Sequence, residues 1–243
     1  MASIFLSIVI PAHNEEKRLP RTLGQIFKFL KDQTYASEVI IVENGSSDRT
    51  LELAREFIAQ HSNLIVVHED QRGKGNAVRR GMLEACGEYR FICDADLSMP
   101  IEELQKFTPP VLNDFDIAIG SREANGAIRY NEPLYRHWGG RAINLAIRSL
   151  ILPGLNDTQC GFKCFRADVT EDLFRQQTLM GWSFDIELLY LARRKHLRIK
   201  EIPIQWYFDP DSKVSAVRDA LRMIGDIFRI HINSLRGRYD LTP

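Results

Sequence analysis

The sequence predicts an α/β fold, a mainly parallel sheet flanked by helices and followed by a C-terminal amphipathic helix. Two observations carry this. Short β-branched runs alternate with segments of helical periodicity, the pattern of βαβ units. Directly after successive strand runs the chain turns acidic, amide-bearing or glycine-rich, as it does where parallel strands empty onto a ligand-binding edge. The 243 residues can bury one large core. They divide into one domain over 1–210, with halves of about 1–120 and 121–210, and a helical segment over 211–243.

Phe5 to Ile10 is the first strand and Pro11 ends it. Leu19, Leu23, Ile26, Phe27 and Leu30 recur at helical spacing, and Val39 to Val42 is the second strand. Gly45-Ser46-Ser47-Asp48 reads as a turn and cap before a helix that carries Leu51, Ala54, Phe57 and Ile58 on one face. Leu64 to Val67 is the third strand, and a helix near Ala77 to Ala85 leads to a fourth that ends at Asp94. Ile101 to Leu112 is predicted helical and Ile117 to Gly120 a fifth strand. Beyond it, Ser121 to Pro133 is polar, Tyr135 to Ile151 helical, and Gly161 to Phe165 a short strand. Helices at Trp182 to His196 and Val214 to Arg236 flank a last strand, Ile199 to Ile204.

Composition excludes several classes. Lys plus Arg equals Asp plus Glu at 32 each, so the chain lacks the global field that a nucleic-acid binder uses. No basic leader with an apolar core opens it, and no apolar run is long enough to span a bilayer, which predicts a cytoplasmic protein. Cys86, Cys93, Cys160 and Cys164 have no paired ligand spacing and read as buried free thiols. The six histidines form no zinc motif.

Phe91-Ile92-Cys93-Asp94-Ala95-Asp96 is the most telling stretch, an apolar run that breaks into two carboxylates one residue apart. Carboxylates so placed after a strand can converge on one hard cation, and a diphosphate leaving group needs such a cation. The plainer alternative is that both merely cap the helix after Pro100. The other strand ends bear on the choice. They are Pro11-Ala12-His13-Asn14-Glu15, Glu43-Asn44-Gly45-Ser46-Ser47-Asp48, Arg72-Gly73-Lys74-Gly75-Asn76-Ala77 and Gly120-Ser121-Arg122. Alone, Asn14 and Glu15 fit a helix cap and first-turn charge, and the basic glycine turn fits a solvated loop. His13 could bond a backbone carbonyl or stack on a base. Together, after consecutive strands, these pieces point to a nucleoside diphosphate ligand.

These motifs resemble the inverting GT-A glycosyltransferases of family 2. The second half carries Asp157-Thr158-Gln159-Cys160-Gly161-Phe162-Lys163, Phe184-Asp185-Ile186-Glu187-Leu188-Leu189 and Ser212-Lys213-Val214-Ser215. It is similar to the dolichyl or polyprenyl phosphate hexosyltransferases of that family, the glucosyl more than the mannosyl type. The resemblance implies that Pro11, Ala12, Asn14, Glu15, Glu43 and Lys74 bind the nucleotide. It implies that Asp94 and Asp96 hold Mg2+ or Mn2+, that Arg122 contacts phosphate, and that Arg136 or Arg141 receives the lipid phosphate, with Arg141 also in the catalytic set. The chain departs from the usual pattern at Glu43-Asn44, where two aspartates are common. The expected donor is UDP-glucose or GDP-mannose and the acceptor a polyprenyl phosphate lipid, with no nucleic-acid partner.

A phosphate monoester is already anionic near neutral pH, its second pKa being about 6, so such an acceptor needs no strong base. A sugar hydroxyl acceptor, as in polysaccharide or glycolipid synthesis, would need one, and Asp185 or Glu187 would serve. A catalytically silent nucleotide-sugar binding module is a third class, opposed by the intact Asp94 and Asp96. Val214, Val217, Leu221, Ile224, Phe228, Ile232 and Leu235 form a stripe in the last helix, with Arg218, Arg222, Arg229, Arg236 and Arg238 nearby. It reads either as a core face or as peripheral contact with the inner face of an anionic membrane.

Overall fold

The computed structural model describes residues 3–133, 144, 145, 147–210 and 216–240, the side chains of 216–220 excepted. The expected sheet is present. Strands β1 (Leu6–Ala12), β2 (Ser37–Glu43), β3 (Leu64–His68), β4 (Tyr89–Ile92), β5 (Ile117–Ser121), β7 (Lys163–Arg166) and β8 (Ile199–Pro203) form a seven-stranded sheet in the order β3-β2-β1-β4-β7-β5-β8. All pairings are parallel except those of β7, which runs antiparallel to both β4 and β5. A short ribbon pairs β6 (Ile128–Tyr130) with β9 (Gln205–Tyr207).

Period-two alternation puts Leu6, Ile8 and Ile10 of β1 on one face and Val9 on the other. The first face is covered by α1 (Leu19–Lys31), through Leu23 and Ile26, and by Phe107, which packs edge-on to Phe91. The second is covered by α3 (Lys74–Glu84), α4 (Ala167–Gln176), α5 (Phe184–Arg194) and α6 (Ala216–Leu235). The helix α2 (Thr50–Ile58) packs beside β3.

The reversal of β7 shapes the ligand edge of the sheet. Its N-terminal end lies where the parallel strands have their C-terminal ends, so residues 157–162 arrive beside the ends of β4 and β5. A parallel β7 would have delivered them to the opposite edge.

Several expectations are corrected. Ile101 to Leu112 is not one helix: a 3-10 turn spans Ile101–Phe107 and the chain then breaks at Pro109-Pro110, where helical backbone is sterically excluded. The α4 helix was not foreseen, because its short apolar face, Leu173 and Phe174, is set among charged residues. Ser121 to Pro133 contains β6, which forms only through its distant partner β9. Of the four cysteines, Cys86 is exposed and the other three are buried. The helix expected over Tyr135 to Ile151 lies partly outside the described residues, and 147–150 are helical.

Candidate active site

At the β1 and β2 ends the polar residues are tied to one another. Asn14 sits at φ 54, a left-handed conformation that asparagine tolerates better than most residues. Its amide oxygen accepts the Ser47 N–H at 2.8 Å and its own N–H donates to Ser46 Oγ at 3.0 Å. The Glu15 N–H donates to Thr50 Oγ1 at 2.7 Å, and its carboxylate pairs with Arg18 at 2.9 Å. Asn14 and Glu15 therefore hold the 45–50 turn rather than capping α1, which begins at Leu19. His13 Nδ1 lies 2.8 Å from the Asn44 carbonyl, the backbone contact that was one of its two expected roles, and its Nε2 is 3.4 Å from Asn14 Nδ2. Pro11 and Ala12 close β1 in register with Val42 and Glu43.

Glu43 is 1% exposed and anchors this edge. One oxygen accepts the Ser46 N–H and the other lies 2.5 Å from His68 Nδ1, whose Nε2 is 2.9 Å from Asp70. Burial pushes the Glu43 carboxyl up, and the bonds from Ser46 and His68 outweigh it, leaving it below the usual range. The bond to Glu43, reinforced by Asp70, raises the His68 imidazole. Sequence reasoning missed His68 because a lone histidine at a strand end carries no signal until its carboxylates are in place.

Asn44 is structural, donating to the carbonyls of Glu69 at 2.9 Å and Gln71 at 2.7 Å while accepting the Gly73 N–H at 2.8 Å. The glycine turn it braces presents Lys74, not a phosphate cradle: the Gly75 N–H is already given to Met180 O at 3.0 Å. Lys74 Nζ stands 2.6 Å from Asp94 Oδ1 and 5.0 Å from the ring centre of Trp182. Burial works to lower the Lys74 ammonium, and Asp94, Asp185 and Asp96 outweigh it, so it stays firmly charged.

Asp94 and Asp96 do not cap the 3-10 turn, which has no side-chain cap. Asp96 accepts the Ser98 N–H at 3.0 Å, and burial together with the neighbouring Asp94 charge raises its carboxyl. Gly161 lies against Asp94: a Cβ there would meet Asp94 Oδ2 at 2.0 Å. The reversed strand thus brings the 157–163 motif into the site, a function of that glycine that the sequence alone did not disclose.

Beyond β5, Arg122 forks onto Asp157, Nε to Oδ2 at 2.6 Å and Nη2 to Oδ1 at 2.9 Å, and lies 5.5 Å from the Trp206 ring centre. Burial would raise the Asp157 carboxyl, but the guanidinium outweighs it and holds it at about 2. Lys163 is 1% exposed and 2.9 Å from Asp185, whose carboxyl burial raises against the pull of Lys163 and Lys74. Glu187 is wholly buried and accepts from the Thr178 and Leu179 N–H groups and the Thr178 and Tyr239 hydroxyls. Neither acid is placed as an open base. Arg136 and Arg141 lie outside the described residues, as do Ser212 to Ser215.

The predicted residues that are described, from Glu43 through Lys74 and Asp94 to Arg122, thus follow one another along the sheet edge. A mainly parallel sheet with one reversed strand and a carboxylate pair at its ligand edge defines the GT-A class of glycosyltransferase. Solved structures of that shape include the Mycobacterium tuberculosis glucosyl-3-phosphoglycerate synthase in complex with Mn2+, UDP-glucose and glycerol 3-phosphate. It is 19% identical with a TM-score of 0.60, over 99% of this chain and 82% of that one. The mannosyl-3-phosphoglycerate synthase of Rubrobacter xylanophilus matches at a TM-score of 0.69 and 16% identity, over 99% and 76%. At those identities the likeness is one of fold. The model of glycosyl transferase family 2 matches residues 7–174. Dolichyl-phosphate beta-glucosyltransferases are 32% identical in Dictyostelium discoideum, over 97% of this chain and 76% of the relative, and 34% identical in Drosophila melanogaster, over 99% and 78%. The chain belongs to glycosyl transferase family 2 and is a glycosyltransferase.

Proposed function

We propose that this enzyme transfers glucose from UDP-glucose to a dolichyl or polyprenyl phosphate, inverting the anomeric centre. One observation carries the reading most: the Lys74, Asp94, Asp96 row sits at the sheet edge of a chain similar over nearly all its length to enzymes named for that transfer. Pro11, Ala12, Asn14, Glu15 and Glu43 form the nucleoside end, with Glu43 acting by fixing Ser46 and His68. Lys74, here paired with Asp94, would neutralise phosphate charge.

A divalent cation fits the donor set. Asp96 is half-buried, and desolvation together with the neighbouring Asp94 charge raises its carboxyl, an arrangement a cation relieves. Among the described residues no group of three or more acids, histidines or cysteines is arranged to hold a metal ion, and Mg2+ or Mn2+ needs only one or two carboxylates when diphosphate oxygens and water complete its shell. Asp94 and Asp96 would hold it, and it would supply charge stabilisation to the departing diphosphate.

This chain's own groups do the rest. Arg122, paired with Asp157 and 5.5 Å from the Trp206 ring centre, would supply positive charge to the donor diphosphate. The acceptor phosphate would be oriented by Arg136 or Arg141 for in-line attack. The saturation of Glu187 and the pairing of Asp185 with Lys163 support an acceptor that needs no base.

The last helix supports peripheral membrane contact. Met223, Ile227 and Ile230 pack inward, while Leu221, Ile224, Phe228, Ile232 and Leu235 form a second, exposed apolar stripe. Exposed Arg222, Arg229 and Arg236 follow at heptad spacing beside it. No helix of the described residues is long and apolar enough to cross a membrane.

The test is incubation of purified protein with UDP-glucose or GDP-mannose, Mn2+ or Mg2+, and dolichyl phosphate. Lipid-linked glucose from UDP-glucose is expected. Transfer only to a soluble sugar would establish the hydroxyl-acceptor alternative instead.

A further inference from the structure

We infer that Glu187 is a positioning residue through which the C-terminal helix sets the donor site, a role that rests on the donor-site reading of Lys74 and Asp94. Glu187 is 0% exposed, and its carboxylate gathers donors from two separate parts of the chain. Its Oε2 accepts the N–H groups of Thr178 at 2.8 Å and Leu179 at 2.7 Å. Its Oε1 accepts the hydroxyls of Thr178 at 2.5 Å and Tyr239 at 2.6 Å. Asn233 of α6 closes the ring, donating to Thr178 Oγ1 at 3.0 Å and to the Tyr239 hydroxyl at 3.4 Å. A buried carboxylate is costly to desolvate unless its lone pairs are filled, so these donors are held as a set.

The other side of this node is the donor site. Gln177 Nε2 donates to Gly75 O at 3.0 Å and Leu179 O at 2.9 Å, and the Gly75 N–H donates to Met180 O. The two backbones touch without side chains between them. A Cβ on Gly73 would come 2.2 Å from Met180 O, and one on Gly75 would come 2.8 Å from Leu179 O. Close-packed backbones move together because no rotamer change can absorb a shift. Between those glycines stands Lys74, whose ammonium meets Asp94, with Trp182 from the same segment over it. A displacement of α6 or of Tyr239 is therefore passed through Glu187 to residues 178–182 and on to the Lys74 to Asp94 contact. The helix that presents the exposed apolar stripe is also the helix that steadies the donor-binding lysine.

Tyr239→Phe removes one hydroxyl and keeps the ring; Glu187→Gln, which keeps the shape, is the second variant. Both are read first without ligand, by amide hydrogen exchange on the full chain. Exchange at Gly75 and Thr178 to Met180 should rise at least about tenfold while the α1 amides stay as in the wild type. UDP-glucose hydrolysis in the absence of lipid should then show a donor KM raised at least about threefold, with kcat within about twofold. A merely structural role would lower melting temperature and kcat and leave KM alone. Unchanged exchange at Gly75 in both variants, or faster exchange with an unchanged donor KM, overturns the inference. A wild type that binds neither UDP-glucose nor GDP-mannose overturns the donor reading instead, and the exchange comparison still decides whether Glu187 couples the two segments.

Discussion

The α-carbon of Gly161 rests against the carboxylate of Asp94, so closely that a methyl group there would overlap Oδ2 at 2.0 Å and Cγ at 2.5 Å. Gly161 lies two residues before β7 and Asp94 two residues after β4, its antiparallel neighbour, and the contact limits where Asp94 can point. Gly161→Ala must push the Asp94 side chain away from Lys74 or shift the strand end. We expect a folded protein whose kcat/KM falls at least about tenfold, since a displacement of about 1 Å at a reacting centre can cost a hundredfold. Wild-type kcat/KM in Gly161→Ala would show that the position of Asp94 is not limiting.

Removing one carboxylate of the proposed cation site tests the metal role. Asp96→Asn keeps the acceptor for the Ser98 N–H and should leave melting temperature near that of the wild type while turnover drops by orders of magnitude. EDTA should silence the wild type, and added Mn2+ or Mg2+ should restore it. Full turnover in EDTA would remove the cation from the mechanism.

The Arg122 to Asp157 pair gives a pH signature. Asp157 titrates at about 2 in the folded protein against an ordinary 3.8. Its folded value is depressed, so its contribution is present above about 3.8 and is lost as pH falls toward about 2. The shift corresponds to stability on the order of 2 kcal/mol. The difference in urea midpoint between wild type and Asp157→Asn should be constant from about pH 6 to about pH 4 and should narrow below that. A gap that does not change with pH would mean that the pair contributes through packing alone.

The outer face of α6 can be altered without touching the core. Phe228 is 62% exposed, so Phe228→Glu should leave melting temperature unchanged while reducing co-sedimentation with anionic vesicles. Replacing Arg222 and Arg229 by Glu should reduce it further, at on the order of 1 kcal/mol per basic residue, and salt should release the wild type. Co-sedimentation of the Phe228→Glu protein equal to that of the wild type would show that the stripe is not the docking surface.

The sequence alone determined the strand-end row. β-branched runs, glycines at the turns and the break from Phe91 to Asp94 are local signals, and the order of parallel strands carries them to one edge; Pro11, read as a stop after Ile10, does not end β1, which stays paired with β2 as far as Ala12. The same locality misled at Ile101 to Leu112, where apolar spacing fits a helix but Pro109 and Pro110 prevent one. Only the tertiary structure decided the direction of β7, because strand direction depends on which neighbours supply the ladder. That reversal placed Gly161 on Asp94. Likewise, Asp185 and Glu187 look alike in sequence, two acids in the first turn of α5. Packing separates them: one faces Lys163 and the other is enclosed by Thr178, Leu179 and Tyr239. The stripe of α6 was legible as amphipathic, but a helix can bury one face and expose another equally apolar one. Which face the core covers is set by the partner surface of α5 and by the Asn233 and Tyr239 contacts, information that no spacing along a single chain contains.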